Sequence, residues 1–353
     1  MINMIRFNTK NVLLCTIVIT LGVGLLFVLQ SSPSENSNME IGDAEQYFDQ
    51  SKHFSPYAKY FETVNRENGS TEFIQLAKDI QRKHGVVMVS IINEAFLSFT
   101  FSWMCNTEGM NIHDHIIYIT TDSQSKKMLD LHWKKTNSKS VYIPSLNLHG
   151  DQEYSKVGYV KMMNFRTQLI LLMLINNLTV FLFETDCVWL SNPMPEIRSS
   201  LKSYDMLLVQ PTRGKGVLGG FMVLKPTEAT ISLWSNLSIQ MWKLLMKIQS
   251  LPENKEISKI ENDQVYFSKL IKMKYAHINV GYLSNKKFSD GKWYEFTEKE
   301  QMQYTPLIIN NNWIAGNKKK KERAEKWGHW FLRDNKTCDY SQIKKIVKSD
   351  VKI

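Results

Sequence analysis

Two carboxylates spaced two residues apart, Glu184 and Asp186, follow the apolar run Val180-Phe181-Leu182-Phe183 and precede another, Val188-Trp189-Leu190. Alternation along an extended backbone sends both side chains to one side, where together they can chelate a hard divalent cation through oxygen. Buried side by side without a cation they would repel, and one would have to take up a proton. An isolated acid-x-acid pair is more often two solvated acids at a strand end. Here the hydrophobic residues on both sides argue against an open loop, so the pair is expected in a structured crevice.

The elements that would build such a crevice can be read from the apolar pattern. Continuous β-rich runs at 86–92, 116–120, 141–143, 180–183, 206–210, 221–224 and 307–309 predict strands, and 96–105, 125–135, 159–176, 233–246 and 265–271 read as helices. Strands alternating with helices argue an α/β domain with a mostly parallel central sheet, Rossmann-like in its winding. Ligands of such sheets sit beyond the carboxyl ends of the strands, which brings Asn93 and Asp122 to the same edge as Glu184 and Asp186. One domain over 85–334, followed by a basic tail at 335–353, is the simplest division.

The chain of 353 residues carries 44 Lys+Arg against 34 Asp+Glu, for a net charge of +10, and 11% aromatic residues exclude a mainly disordered or fibrous protein. The basic residues are interleaved with acids except in the run Lys318 to Lys321 and near the C-terminus, so charge alone does not indicate nucleic acid. The uncharged apolar run Val12 to Leu29 is long enough to span a bilayer, with Arg6 and Lys10 before it. It is expected to be a signal anchor at 12–29 with a cytosolic tail at 1–11, a polar stem at 30–84 and the remaining chain across the membrane; a cleaved signal peptide is the competing reading. Four Asn-x-Ser/Thr sequons, at Asn68, Asn177, Asn236 and Asn335, fit that side. Cys105, Cys187 and Cys338 lie outside the apolar run, so at most one bridge forms within the chain.

The segment Glu184 to Pro193, ETDCVWLSNP, resembles the acid-x-Asp-x-Val-Trp-Leu-x-x-Pro stretch of the nucleotide-diphospho-sugar transferase family. Other pieces match in order: Asn93, Arg166, Gly219-Gly220-Phe221-Met222, Asn262-Asp263-Gln264, Asn312-Trp313-Ile314-Ala315-Gly316, and the lysine run followed by Lys326-Trp327-Gly328-His329-Trp330. The resemblance covers roughly 85–331. It implies the glycosyltransferase A-type fold and a Golgi type II membrane enzyme that moves a sugar from a nucleoside diphosphate, often UDP, to a glycan or glycoprotein acceptor, with Mn2+ or Mg2+ and with retention of configuration. By the same resemblance Glu184, Asp186 and Asn310 hold the metal. Asn93, Asp122, Arg166, Glu184, Gly219, Gly220, Asn312, Gly316, Lys318 and Lys319 contact the nucleotide, and Asp263 and Gln264 lie by the reacting carbon. Glu184 stands where the family usually has Asp, and Asn310 where it commonly has His. The alternative is a relative that binds a sugar nucleotide or glycan without transferring it.

Other features read as structural. His113-Asp114-His115 lacks a third ligand at usable spacing and is expected to be a surface turn. Trp234 and Trp242 share a helical face and are expected in the core. Arg166 is expected near the start of its helix, held at a site rather than snorkelling. A bridge between Cys187 and Cys105 is conceivable.

Overall fold

The alternation of strands and helices read from the sequence is present in the computed structural model, which describes residues 68–132, 136–143, 148–212 and 216–347. The expected anchor at 12–29 and the first part of the stem lie outside these residues. Among the described residues no helix is long and apolar enough to cross a membrane. In chain order the main elements are α1 (Asn68–His84), β1 (Val87–Ile92), α2 (Leu97–Thr107), β2 (Ile116–Thr120), α3 (Ser123–His132), β3 (Lys139–Tyr142), α4 (Val157–Ile175), β4 (Val180–Leu182), β5 (Val188–Trp189), α5 (Met194–Leu201), β6 (Met206–Val209), β7 (Met222–Leu224), α6 (Glu228–Ile248), α7 (Asp263–Lys272), β8 (Val280–Leu283), β9 (Phe288–Ser289), β10 (Ile308–Ile309), α8 (Asn317–Lys326) and α9 (Tyr340–Ile346).

Seven strands form one sheet in the order β3-β2-β1-β4-β7-β6-β8. β3, β2, β1 and β4 are mutually parallel, β7 pairs antiparallel with both β4 and β6, and β8 runs parallel to β6. Only β7 therefore opposes the other six, and the sheet is mostly parallel as expected. β2 is buried at all five positions and β1 at five of six, the signature of strands covered on both faces. A second, three-stranded sheet, β5-β10-β9, holds the Val188-Trp189 segment antiparallel to β10. This small sheet explains why the residues after the acid pair are too apolar for a loop.

The folded body extends beyond 85–334 at both ends. α1, which the sequence reading assigned to the stem, buries Phe73, Ile74, Ala77 and Ile80, spaced as one helical stripe. At the other end Ile343 and Val347 join the core, so 335–347 is not a loose tail. Cys338 is disulfide-bonded to Cys105 on α2 across 233 residues of sequence, leaving Cys187 as a buried free thiol. The bridge considered between Cys187 and Cys105 is therefore replaced, because Cys187 sits inside the packed acid segment while Cys338 is carried over α2 by the C-terminal chain.

A bond that closes so long a loop restricts the unfolded chain strongly. Replacing Cys338 by Ser is expected to lower unfolding free energy by about 2–4 kcal/mol, read from the denaturation midpoint of oxidised protein. An unchanged midpoint would show that the C-terminal segment contributes nothing to holding the fold.

Candidate active site

The acid segment is held in place by aromatic packing and by a hydrogen-bond clamp. Trp103 on α2 packs 4.8 Å from the Phe183 ring and edge-on to Trp189 at 5.1 Å, and Phe181 meets Phe221 edge-on at 4.9 Å. Asn106 on α2 holds the Trp189 backbone from both sides, accepting from its N–H at 2.7 Å and donating to its carbonyl at 2.8 Å. Thr185 meets Thr100 at 3.1 Å, and the Cys187 thiol donates to the Glu184 carbonyl at 2.8 Å. Burial, then the neighbouring Asp186, keeps that thiol protonated by pushing its pKa well up, so it is a packing residue.

Asp186 is almost completely enclosed, with 1% of its side chain exposed. Its Oδ2 accepts from Lys320 Nζ at 2.6 Å, while its Oδ1 is buried without a protein partner. Asn310 follows β10 immediately, and the antiparallel pairing of Ile309 with Val188 brings it alongside the acid segment. Its side-chain Oδ1 is also buried and unpartnered. Two orphaned oxygen acceptors beside Glu184 form a hard-oxygen set that suits Mn2+ or Mg2+, which makes a divalent cation chemically compatible with these residues.

Glu184 faces the second cation of the site. Arg166 lies in the middle of α4, not near its start as expected, and is 5% exposed. Its Nη1 approaches Glu184 Oε1 at 3.5 Å and its Nη2 donates to Asp263 Oδ2 at 2.5 Å. Burial works against the guanidinium charge, but Asp263 and Glu184 more than restore it. Lys320 behaves in the same way: burial alone would lower its pKa, and Asp186 with Glu184 raises it. Glu184 itself is pushed up, first by burial and then by Asp186, with Arg166 and Lys320 pulling the other way.

Asn262 caps α7, its Oδ1 accepting from Val265 N at 2.9 Å, and this sets Asp263 and Gln264 in the first turn. Gln264 Oε1 accepts from Gly219 N at 3.3 Å. Arg166, Gly219, Asp263 and Gln264 meet around a small cavity of about 10 Å³ whose other walls are Leu182, Met222, Trp234, Leu237 and Phe267. Gly220 has a specific reason to be glycine, because a Cβ there would overlap the Glu184 carboxylate.

The basic segment is a helix rather than a solvated turn. Gly316, at φ 86°, turns the chain into α8. Lys318 and Lys319 point to solvent; Lys320 is the lysine that reaches the acids. Arg323, one helical turn on, donates to Asn311 Oδ1 at 2.7 Å and to the Asn312 carbonyl at 2.6 Å. Lys320 and Arg323 share a face because they are three apart on a helix. Trp313 is a second residue the sequence reading did not single out. Its backbone sits in the left-handed region at φ 61°, its indole N–H donates to Asp290 Oδ2 at 2.8 Å, and the side chain is half exposed.

Asn93 and Asp122 lie at the strand ends as expected, but their polar atoms are engaged within the protein. Asn93 accepts from Ala95 N at 3.2 Å and donates to the Gly150 carbonyl at 2.6 Å. Asp122 accepts from the backbone N–H and hydroxyl of Ser125, both at 2.7 Å, and from Glu94 N at 3.0 Å. Asn312 Oδ1 likewise accepts from Gly291 N at 2.7 Å.

The raised pKa of Glu184 has a stability consequence. Its folded value lies above its unfolded value, so the ionised carboxylate destabilises the fold above the folded pKa, and the penalty fades as pH falls toward the unfolded value. Glu184→Gln is therefore expected to raise the thermal midpoint at neutral pH and to give no gain below about pH 4, the ordinary carboxylate range. A midpoint difference independent of pH would contradict the crowding of the two acids.

Comparison with known proteins agrees with this geometry. A family model described as nucleotide-diphospho-sugar transferase matches residues 111–324. A UDP-D-xylose:L-fucose alpha-1,3-D-xylosyltransferase of Arabidopsis thaliana is 24% identical over 264 residues, 72% of this chain and 68% of the relative. A UDP-galactose:fucoside alpha-3-galactosyltransferase of Dictyostelium discoideum is 25% identical over 249 residues, 64% of this chain but 36% of the relative. Among solved structures, mouse xyloside xylosyltransferase 1 is similar at 12% identity and a TM-score of 0.39, over 65% of this chain and 98% of that one. With the family model spanning more than half of the chain and the acid pair, cationic helix and mostly parallel sheet in place, the chain belongs to the nucleotide-diphospho-sugar transferase family and is a glycosyltransferase.

Proposed function

We propose that the chain transfers a sugar from a UDP donor to an L-fucose-bearing glycan, with retention of configuration and with Mn2+ or Mg2+ held by Asp186, Glu184 and Asn310. The observation that carries the reading is the pair of orphaned acceptors, Asp186 Oδ1 and Asn310 Oδ1, beside a carboxylate already held by a mobile type of cation, Lys320. When bound, the divalent ion would stabilise the charge that accumulates on the diphosphate as the bond to the anomeric carbon breaks. Lys320 and Arg323 supply two further positive groups on one face of α8, placed to receive the same leaving group. Arg166 fixes Asp263 in a buried ion pair, and Gln264, tied to Gly219, completes the wall at which the reacting carbon would lie.

Support for the acceptor comes from the relatives rather than from the pocket. The plant and Dictyostelium relatives named above differ in donor, UDP-xylose or UDP-galactose, yet both names specify fucose and an alpha linkage to position 3. UDP-xylose and UDP-galactose carry an α-anomeric bond, so an α product corresponds to retention. The exposed ring of Trp313, held rigidly by Asp290, offers an apolar face to a pyranose. The apolar run at 12–29 and the Cys105–Cys338 disulfide support a Golgi type II protein with its catalytic domain in the oxidising lumen.

The purified chain, given UDP-xylose or UDP-galactose with Mn2+ and methyl α-L-fucoside, is expected to release UDP and form a disaccharide. Asp186→Asn should reduce turnover by about a hundredfold or more, the loss typical of removing one group that stabilises developing charge. Undiminished turnover in Asp186→Asn would contradict the assignment. A second reading, sugar-nucleotide binding without transfer, is favoured by Asn310 in place of an imidazole; tight UDP binding with no turnover in any acceptor screen would establish it instead.

A further inference from the structure

The segment His113-Asp114-His115, expected to be a surface turn without a third ligand, is instead a short 3-10 turn with both imidazoles buried, and it finds a third residue in space. His84, the last residue of α1, places its Nε2 3.2 Å from Asp114 Oδ2, and His115 Nε2 stands 3.6 Å from Asp114 Oδ1. The two imidazole rings lie 4.0 Å apart with a tilt of 29°, and one ligand atom from each of the three residues falls within 4.8 Å of the others. The geometry points to a zinc site formed by His84, Asp114 and His115, with water completing the coordination.

The ligand types and the spacing are compatible with such a site. A charge-assisted hydrogen bond between imidazole and carboxylate has a heavy-atom distance of about 2.7–2.9 Å. Zinc bonds of about 2.0–2.1 Å arranged tetrahedrally place neighbouring ligand atoms roughly 3.3 Å apart. The observed 3.2 and 3.6 Å, made to different oxygens of Asp114, are compatible with the second value, as is the 3.2 Å of the plain Lys83 ion pair. The ligand types, two imidazoles and a carboxylate, are those zinc takes in open three-residue sites. Burial gives the cluster a fixed frame: the side chains of His115, His84 and Asp114 are 7%, 12% and 28% exposed. Arg198 on α5 helps hold the end of α1 by donating to the His84 carbonyl at 3.3 Å. Lys83 Nζ, 3.2 Å from Asp114 Oδ2, competes with a metal for that oxygen, but its side chain is 68% exposed and free to swing into solvent.

This cluster lies at the amino ends of β1 and β2, at the opposite edge of the sheet from Glu184 and Asp186, so its role is structural. A zinc there would pin the end of α1, the helix by which the preceding chain enters the domain, to the start of β2. It does not depend on the proposed acceptor or donor.

The test is zinc retention by the full chain after dialysis against a chromophoric chelator. Wild type and Asp186→Asn should each keep one equivalent, and His84→Gln and Asp114→Asn should each lose it. Lys83→Met should tighten zinc binding about threefold, the size of a removed exposed charge contact. Zinc retained undiminished in His84→Gln, or none retained by wild type, overturns the proposal. Should a variant fail to fold by circular dichroism, anomalous scattering at the zinc edge from wild-type crystals decides directly: a peak between the three side chains supports the site, and its absence after zinc soaking refutes it.

Discussion

Three carboxylates gathered in one apolar crevice need positive charge, and the rest of the molecule is arranged around supplying it. Among the described residues, Arg166 and Lys320 pair with Glu184, Asp186 and Asp263, and Arg323 on the same face of α8 feels the charge of Asp186. Acids crowded with little solvent are costly to keep ionised, as the raised pKa of Glu184 reflects. Under the proposed function a divalent cation would offset that crowding and favour an anionic donor. Asp186, Asn310 and Asp263 each keep one buried oxygen without a protein partner. Loss of Arg166 would also leave Asp263 buried and unpaired, so the guanidinium is as much a condition of folding as of binding.

Holding like charges together requires a stiff frame. The frame is aromatic beneath and hydrogen-bonded above: Trp103, Phe183 and Trp189 pack under the acid segment, and Asn106 clamps the Trp189 backbone. α2, which supplies both Trp103 and Asn106, is itself tied to the C-terminal segment through Cys105 and Cys338. The 335–347 region thus supports the acid segment from a distance. The small β5-β10-β9 sheet does a related task, setting Asn310 against the acids by strand pairing rather than by loop geometry.

Much of this was legible in the residues. Apolar runs of β-branched type located six of the strands of the main sheet, and alternation with helices gave its mostly parallel sense. β8 was missed because Val280-Gly281-Tyr282-Leu283 is only partly buried and contains glycine, which weakens a strand signal. The Glu184-x-Asp186 pair was visible because its flanks are too hydrophobic for solvent; Gly219-Gly220 entered through the family resemblance, and the structure gives the reason at Gly220 alone, where a Cβ would meet Glu184. Lys318 and Lys319 were named from the family resemblance; a run of identical residues carries no internal phase, and the start of α8 after Gly316 is what turns Lys320 inward. The partner of the His113-Asp114-His115 turn was invisible because His84 is remote in sequence and is brought near only by the packing of α1.

The proposed function requires Asp186 to hold the cation and Lys320 to leave it for the diphosphate. A crystal structure with UDP and Mn2+ tests it most directly. The account predicts the metal bonded to Asp186, Lys320 withdrawn from that carboxylate, and the pyrophosphate between the ion and the inward face of α8. An intact contact between Lys320 and Asp186, with the nucleotide seated elsewhere and no ion at the acid pair, would contradict it.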